Sequence, residues 1–199
     1  LAPAANLTGV ADLVWSGSLT DDQRALFPMG VIGFARYNPD LDADWFLHGS
    51  ADWYREQLSR CQPPDSQGST GSQSEGTRLA PVPWRTVVDR FREANDVKPD
   101  TASDVATLRD ALRRVALPQR PLDKPMLVIN GEDDTQVLPD WVRSAVSGSC
   151  ALGARIENLQ IPNTGHLDLI PKVADTVQRW IADRFAGTPP PSNCPAGQK

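Results

Sequence analysis

The sequence predicts an α/β fold with a mainly helical insertion. Three observations carry that prediction. Residues 126–130 (Met-Leu-Val-Ile-Asn) are a short apolar run ending at Gly131, which reads as a buried parallel strand. A second short strand is expected over 155–161, and a helical pattern follows each strand, so the C-terminal third runs strand, helix, strand, helix. Before it, short helical patterns alternate with Gly and Pro breaks, and aromatic residues concentrate between Trp15 and Tyr54.

Taken in order, Leu1-Ala-Pro-Ala reads as the tail of a strand and its exit turn, so residues 1–10 are assigned to the end of a core strand and its exit loop. Residues 11–120 are assigned to a helical cap. Within them 52–58 reads as amphipathic helix, and Trp15, Phe27, Phe34, Tyr37, Trp45, Phe46, Trp53 and Tyr54 supply either a helical sub-core or an acyl- or aromatic-binding face. Residues 62–78 are rich in Ser, Gly, Gln and Pro without apolar anchors, the composition of a mobile loop. Helical spacing resumes at Val87, Val88 and Phe91 and is cleaner at Val105, Leu108, Leu112 and Val115. Asp100, Thr101 or Ser103 supplies that helix's N-cap, and Pro118 and Pro121 end it. Residues 121–199 form the C-terminal part of the core. There Pro125 opens the first strand, 139–146 is a helix stopped by Gly148, and 171–185 is a helix with Val173, Val177, Trp180, Ile181 and Phe185 on one face. An Asp175–Arg179 pair is expected outside that face, with Gly187 as its stop.

Composition narrows the function classes. The chain has 199 residues, 40% hydrophobic and 23% charged, which suits one domain or a compact core with an insertion. A net charge of −5 and the absence of a Lys/Arg cluster argue against nucleic acid. No apolar run approaches the roughly 20 residues of a membrane helix; the longest, 27–35, carries two glycines. The three cysteines Cys61, Cys150 and Cys194 are an odd number. They are either buried thiols or one disulfide plus a cysteine paired elsewhere. A Cys150–Cys194 bridge would tie down the Pro-rich tail and points to an oxidising, secreted setting.

Two residues carry the chemistry. Asp134 lies in the frame Gly131-Glu-Asp-Asp134 at the tip of the first strand, and His166 lies in Asn163-Thr-Gly-His166 after the second. Carboxylate first and histidine second, each on a post-strand loop, is the α/β-hydrolase order of the last two members of a Ser-Asp-His triad. Such a triad needs a base to take the nucleophile's proton and a carboxylate to fix that base's tautomer. Asp133 reads as a solvated neighbour, Asp168 as an N-cap, and His48 as structural or exposed. No Gly-x-Ser-x-Gly elbow occurs in the 199 residues, and Ser69, Ser72 and Ser74 lack its frame. Two distant histidines and no Cys-x-x-Cys leave metal binding unsupported. Gly68-Ser-Thr-Gly71 lacks the strand and lysine of a phosphate loop, so no cofactor is expected.

The stretches Leu127-Val-Ile-Asn-Gly-Glu-Asp-Asp-Thr-Gln-Val137, Cys150-Ala-Leu-Gly, Pro162-Asn-Thr-Gly-His166, Trp180-Ile-Ala-Asp-Arg-Phe-Ala-Gly187 and Pro191-Ser-Asn-Cys194 resemble the C-terminal end of bacterial and fungal secretory lipases, a branch of the α/β-hydrolases. Arg36-Tyr-Asn-Pro-Asp-Leu41 and Cys61 resemble that family's cap. The resemblance covers the family's second half. It implies a secreted carboxylic-ester hydrolase acting on small esters or lipids, with Asp134 and His166 as triad acid and base. It also implies a Cys150–Cys194 disulfide, and a nucleophile and a partner for Cys61 in a part of the fold before Leu1. On that view this chain alone is inactive. A secreted serine exopeptidase of the same fold and a non-catalytic acyl-binding module are the alternatives.

Overall fold

A computed structural model describes residues 5–49, 51 and 96–195. The expected helix at 52–58, the Ser/Gly-rich loop, the helical patch at 87–91, Cys61 and Leu1-Ala-Pro-Ala lie outside the described residues. The chain divides into two compact units, Ala11–Ala111 on one hand and Leu1–Val10 with Leu112–Lys199 on the other.

The described part of the Ala11–Ala111 unit is helical. Helix α1 runs Val10–Ser16, α2 runs Asp21–Tyr37, and α3 (Ala102–Val115) begins here. Helix α2 corrects the expectation of short pieces, since its 17 residues run through Pro28. Two local causes override the proline. Thr20 and Gln23 form a reciprocal capping box that satisfies two orphan donors at the helix start. Pro28 itself is fully buried, so packing favours the position it occupies. Phe27 packs edge-on against Phe46, with ring centroids 5.9 Å apart, and Phe46 is wholly buried. Thr101 is the residue that caps α3: its Oγ1 accepts from the Asp104 N–H, and Asp104 Oδ2 accepts from the Thr101 N–H. The α3 stripe buries Val105, Leu108 and Leu112, but Val115 is exposed.

The second unit holds a small parallel sheet flanked by helices. Strands β1 (Met126–Gly131) and β2 (Ile156–Ile161) pair in register from Met126 opposite Ile156 to Gly131 opposite Ile161. Helix α4 (Pro139–Ala151) connects them and α5 (Leu169–Phe185) follows. Val128, Val142, Ala154, Ile156 and Ala5 form the core, with Trp141 and Leu122 against it. This is the mixed, α/β-like arrangement expected of the C-terminal third.

Three local expectations are corrected. Gly148 does not stop α4; the helix passes through it to Ala151. A Cβ there would lie 2.9 Å from the Pro118 ring, so the glycine admits a close approach rather than a turn. The reversal occurs at Gly153, with φ +85°. Arg179 Nε donates to the Asp175 carbonyl oxygen, not to its carboxylate. On α5 only Val173 is buried, while Ile181 and Phe185 are exposed, because a two-stranded sheet is too narrow to cover the whole apolar face.

A Cys150–Cys194 disulfide joins α4 to the tail, with Cα atoms 5.4 Å apart. The tail also hydrogen-bonds the outer edge of β2. The Asn193 N–H donates to the Ile156 carbonyl, and its side-chain amide exchanges two 2.8 Å bonds with the Asn158 backbone. These bonds occupy backbone groups that an edge strand otherwise leaves open.

Candidate functional site

The register of the sheet sets the site. Because Gly131 is paired with Ile161, the loops that follow both strands leave the same end of the sheet side by side. The loops then lock together through backbone. The Glu132 N–H donates to the Ile161 carbonyl at 2.9 Å and the Asp133 N–H to the Thr164 carbonyl at 3.0 Å. Gly131 is required by this approach, since a Cβ there would run into the Thr164 carbonyl.

Asp134 sits in the first loop, 5% exposed. A buried carboxylate is costly unless it is hydrogen-bonded, and this one is bonded on both oxygens. Oδ1 accepts from the Gln136 and Val137 N–H groups, each at 2.9 Å, a local turn that fixes the carboxylate plane. Oδ2 lies 2.8 Å from Nδ1 of His166. The carboxylate accepts only, so the ring carries its proton on Nδ1. In the neutral ring Nε2 is then the basic nitrogen. It makes no hydrogen bond among the described residues, and the His166 side chain is 41% exposed.

The histidine loop has its own supports. Asn163 takes a left-handed turn, with φ +49°. Thr164 is buried and its hydroxyl donates to the Pro162 carbonyl. Lys172, in the first turn of α5, donates from Nζ to the Asn163 carbonyl at 3.1 Å and to Thr164 Oγ1 at 2.8 Å. Sequence reasoning missed Lys172. The signal for it was a lysine one turn into the helix that follows the histidine loop, close enough to reach back.

The remaining candidates fall elsewhere. Asp133 is exposed, the solvated neighbour it was expected to be. Asp168 stands at the N-cap position of α5, but its side chain makes no capping hydrogen bond, which corrects that expectation. Its backbone is already helical, so the carboxylate does not face the first-turn N–H groups. His48 does have a carboxylate partner, which its sequence surroundings did not show. Its Nε2 lies 2.8 Å from the Lys98 carbonyl oxygen and 3.2 Å from Asp100 Oδ1. Ser69, Ser72 and Ser74 lie outside the described residues.

No group of three or more metal-ligating side chains occurs among the described residues. No helix among them is long and apolar enough to cross a membrane. Comparison with family models, with curated proteins and with solved structures returned no match.

Proposed function

We propose that Asp134 and His166 are the acid and base of a serine hydrolase that cleaves carboxylic esters, in an α/β-hydrolase fold whose cap lies within residues 11–120. The observation that carries this reading is the pair itself: a buried carboxylate, held on Oδ1 by two backbone N–H groups, meeting Nδ1 of a half-exposed histidine. The 199 residues hold no Gly-x-Ser-x-Gly elbow, so in this proposal the serine is supplied by polypeptide outside them. The disulfide supports an oxidising, extracellular setting.

In the proposed reaction the serine oxygen attacks the ester carbonyl carbon, and His166 Nε2 takes its proton. Asp134 Oδ2 holds the Nδ1 proton and stabilises the imidazolium that forms. The carbon–oxygen bond to the alcohol then breaks, and His166 returns the proton to the departing alcohol oxygen. Water attacks the acyl-serine, again giving a proton to Nε2. Release of the acid returns that proton to the serine.

The test uses the complete enzyme, with the nucleophile present. It is expected to hydrolyse p-nitrophenyl butyrate, and His166→Ala is expected to lower kcat/KM by roughly 10⁴-fold or more. Wild-type ester turnover in His166→Ala would overturn the reading. Faster cleavage of aminoacyl p-nitroanilides than of esters would replace it with an exopeptidase of the same triad.

A further inference from the structure

The Ala11–Ala111 unit contains a cavity of about 280 Å³, beside the turn that joins α1 to α2. Its wall has two chemical halves. Trp15, Leu19 and Val97 supply apolar surface, and Leu19 and Val97 are buried. Arg24 and Lys98 supply two cations, and no carboxylate is among the described residues that line the cavity.

Of the two cations Arg24 has a carboxylate partner and Lys98 has none among the described residues. Arg24 pairs through Nη2 with the exposed Asp21, but its Nε is buried and has no acceptor among the described residues. Lys98 Nζ makes no ion pair or hydrogen bond among the described residues. The Lys98 backbone is nonetheless fixed. Val97 pairs with Leu47 in a β-bridge, and the Lys98 carbonyl accepts from His48. A desolvated donor without an acceptor and an unpaired ammonium beside it are groups that an anion satisfies.

We infer that this cavity binds a small organic monocarboxylate with an apolar body. The carboxylate lies between Lys98 Nζ and the Arg24 guanidinium, and the body lies against Trp15, Leu19 and Val97. The volume lies just below the usual range of ligand pockets, roughly 300–1,000 Å³, which suits an octanoyl-sized body and not a long-chain lipid. The inference is independent of the proposed hydrolase activity, because neither Asp134 nor His166 belongs to this unit.

Isothermal titration of the full chain with sodium octanoate, and with 1-octanol as the neutral match, tests it. Saturable one-to-one octanoate binding is expected, with octanol at least about tenfold weaker. Lys98→Gln is expected to weaken octanoate about tenfold and to leave octanol unchanged, while Lys98→Arg stays within about threefold of wild type. Lys98 is exposed, so these variants keep the fold; circular dichroism checks this. Equal affinity for octanoate and octanol, unchanged octanoate affinity in Lys98→Gln, or no saturable octanoate binding overturns the inference.

Discussion

Both histidines of the chain lie against a carboxylate, and the two pairs are built differently. Asp134 is 5% exposed, whereas the Asp100 side chain is 55% exposed. Asp134 is clamped by two backbone N–H groups on the oxygen it does not offer to histidine. His166 meets its carboxylate through Nδ1, which leaves Nε2 basic and unshared. His48 uses Nε2 for both the Lys98 carbonyl and Asp100. A carbonyl only accepts, so Nε2 of His48 must carry the proton. The two rings therefore hold opposite tautomers. Contact between a histidine and a carboxylate is common to both pairs; the buried and oriented carboxylate is what supports the proposed base role of His166 and is lacking at His48. His48 acts as a clasp between the segments around residues 47 and 98, and its contribution belongs to stability.

The largest expected contrast follows directly. In the proposed hydrolase Asp134→Asn is expected to lower kcat by about 10²–10⁴-fold, because the amide no longer holds the Nδ1 proton. Asp100→Asn is expected to change it less than about twofold, since exposed ion pairs contribute little. Steady-state ester hydrolysis compares the two, and equal losses would erase the distinction.

Gly131→Ala comes next. Its Cβ would meet the Thr164 carbonyl, so both site loops must shift. Urea unfolding is expected to show a loss of about 2–4 kcal/mol. A neutral result would mean the loops are not locked as described. Removing the disulfide with Cys150→Ser and Cys194→Ser is expected to cost about 2–4 kcal/mol for a loop spanning 44 residues. The same denaturation series measures it, and unchanged stability would mean that Asn193 alone holds the tail to β2. The smallest expected effect is Thr20→Ala, about 1 kcal/mol from loss of the α2 cap. Urea unfolding measures it.

What was legible in the sequence was local. The strand ending at Gly131 could be read because an apolar run and a glycine mark where it stops, and the strand ending at Ile161 because Pro162 and the Gly165 loop follow it. Gly187 as a stop was legible in the same local way, with φ +76°, whereas the α3 cap was narrowed only to Asp100, Thr101 or Ser103, of which Thr101 is the one that caps. What was illegible depended on partners distant in sequence. Nothing near His48 names Asp100, and nothing near Gly148 names Pro118. Helix α2 was hidden by Pro28, since a proline signals a break unless the packing that overrides it is known. Lys172 reads as an ordinary helix-surface lysine until the Asn163 turn is seen beneath it.

The most direct test of the account is the tautomer of each ring. Long-range ¹H–¹⁵N correlation spectra of the chain, at a pH where the imidazoles are neutral, distinguish a protonated Nδ1 from a protonated Nε2. The account predicts His166 as the Nδ1–H form and His48 as the Nε2–H form, with Asp134→Asn abolishing the His166 preference and leaving His48 unchanged. Finding His166 as Nε2–H, or averaged between the two forms in the wild-type chain, would contradict the claim that Asp134 holds this histidine as a base.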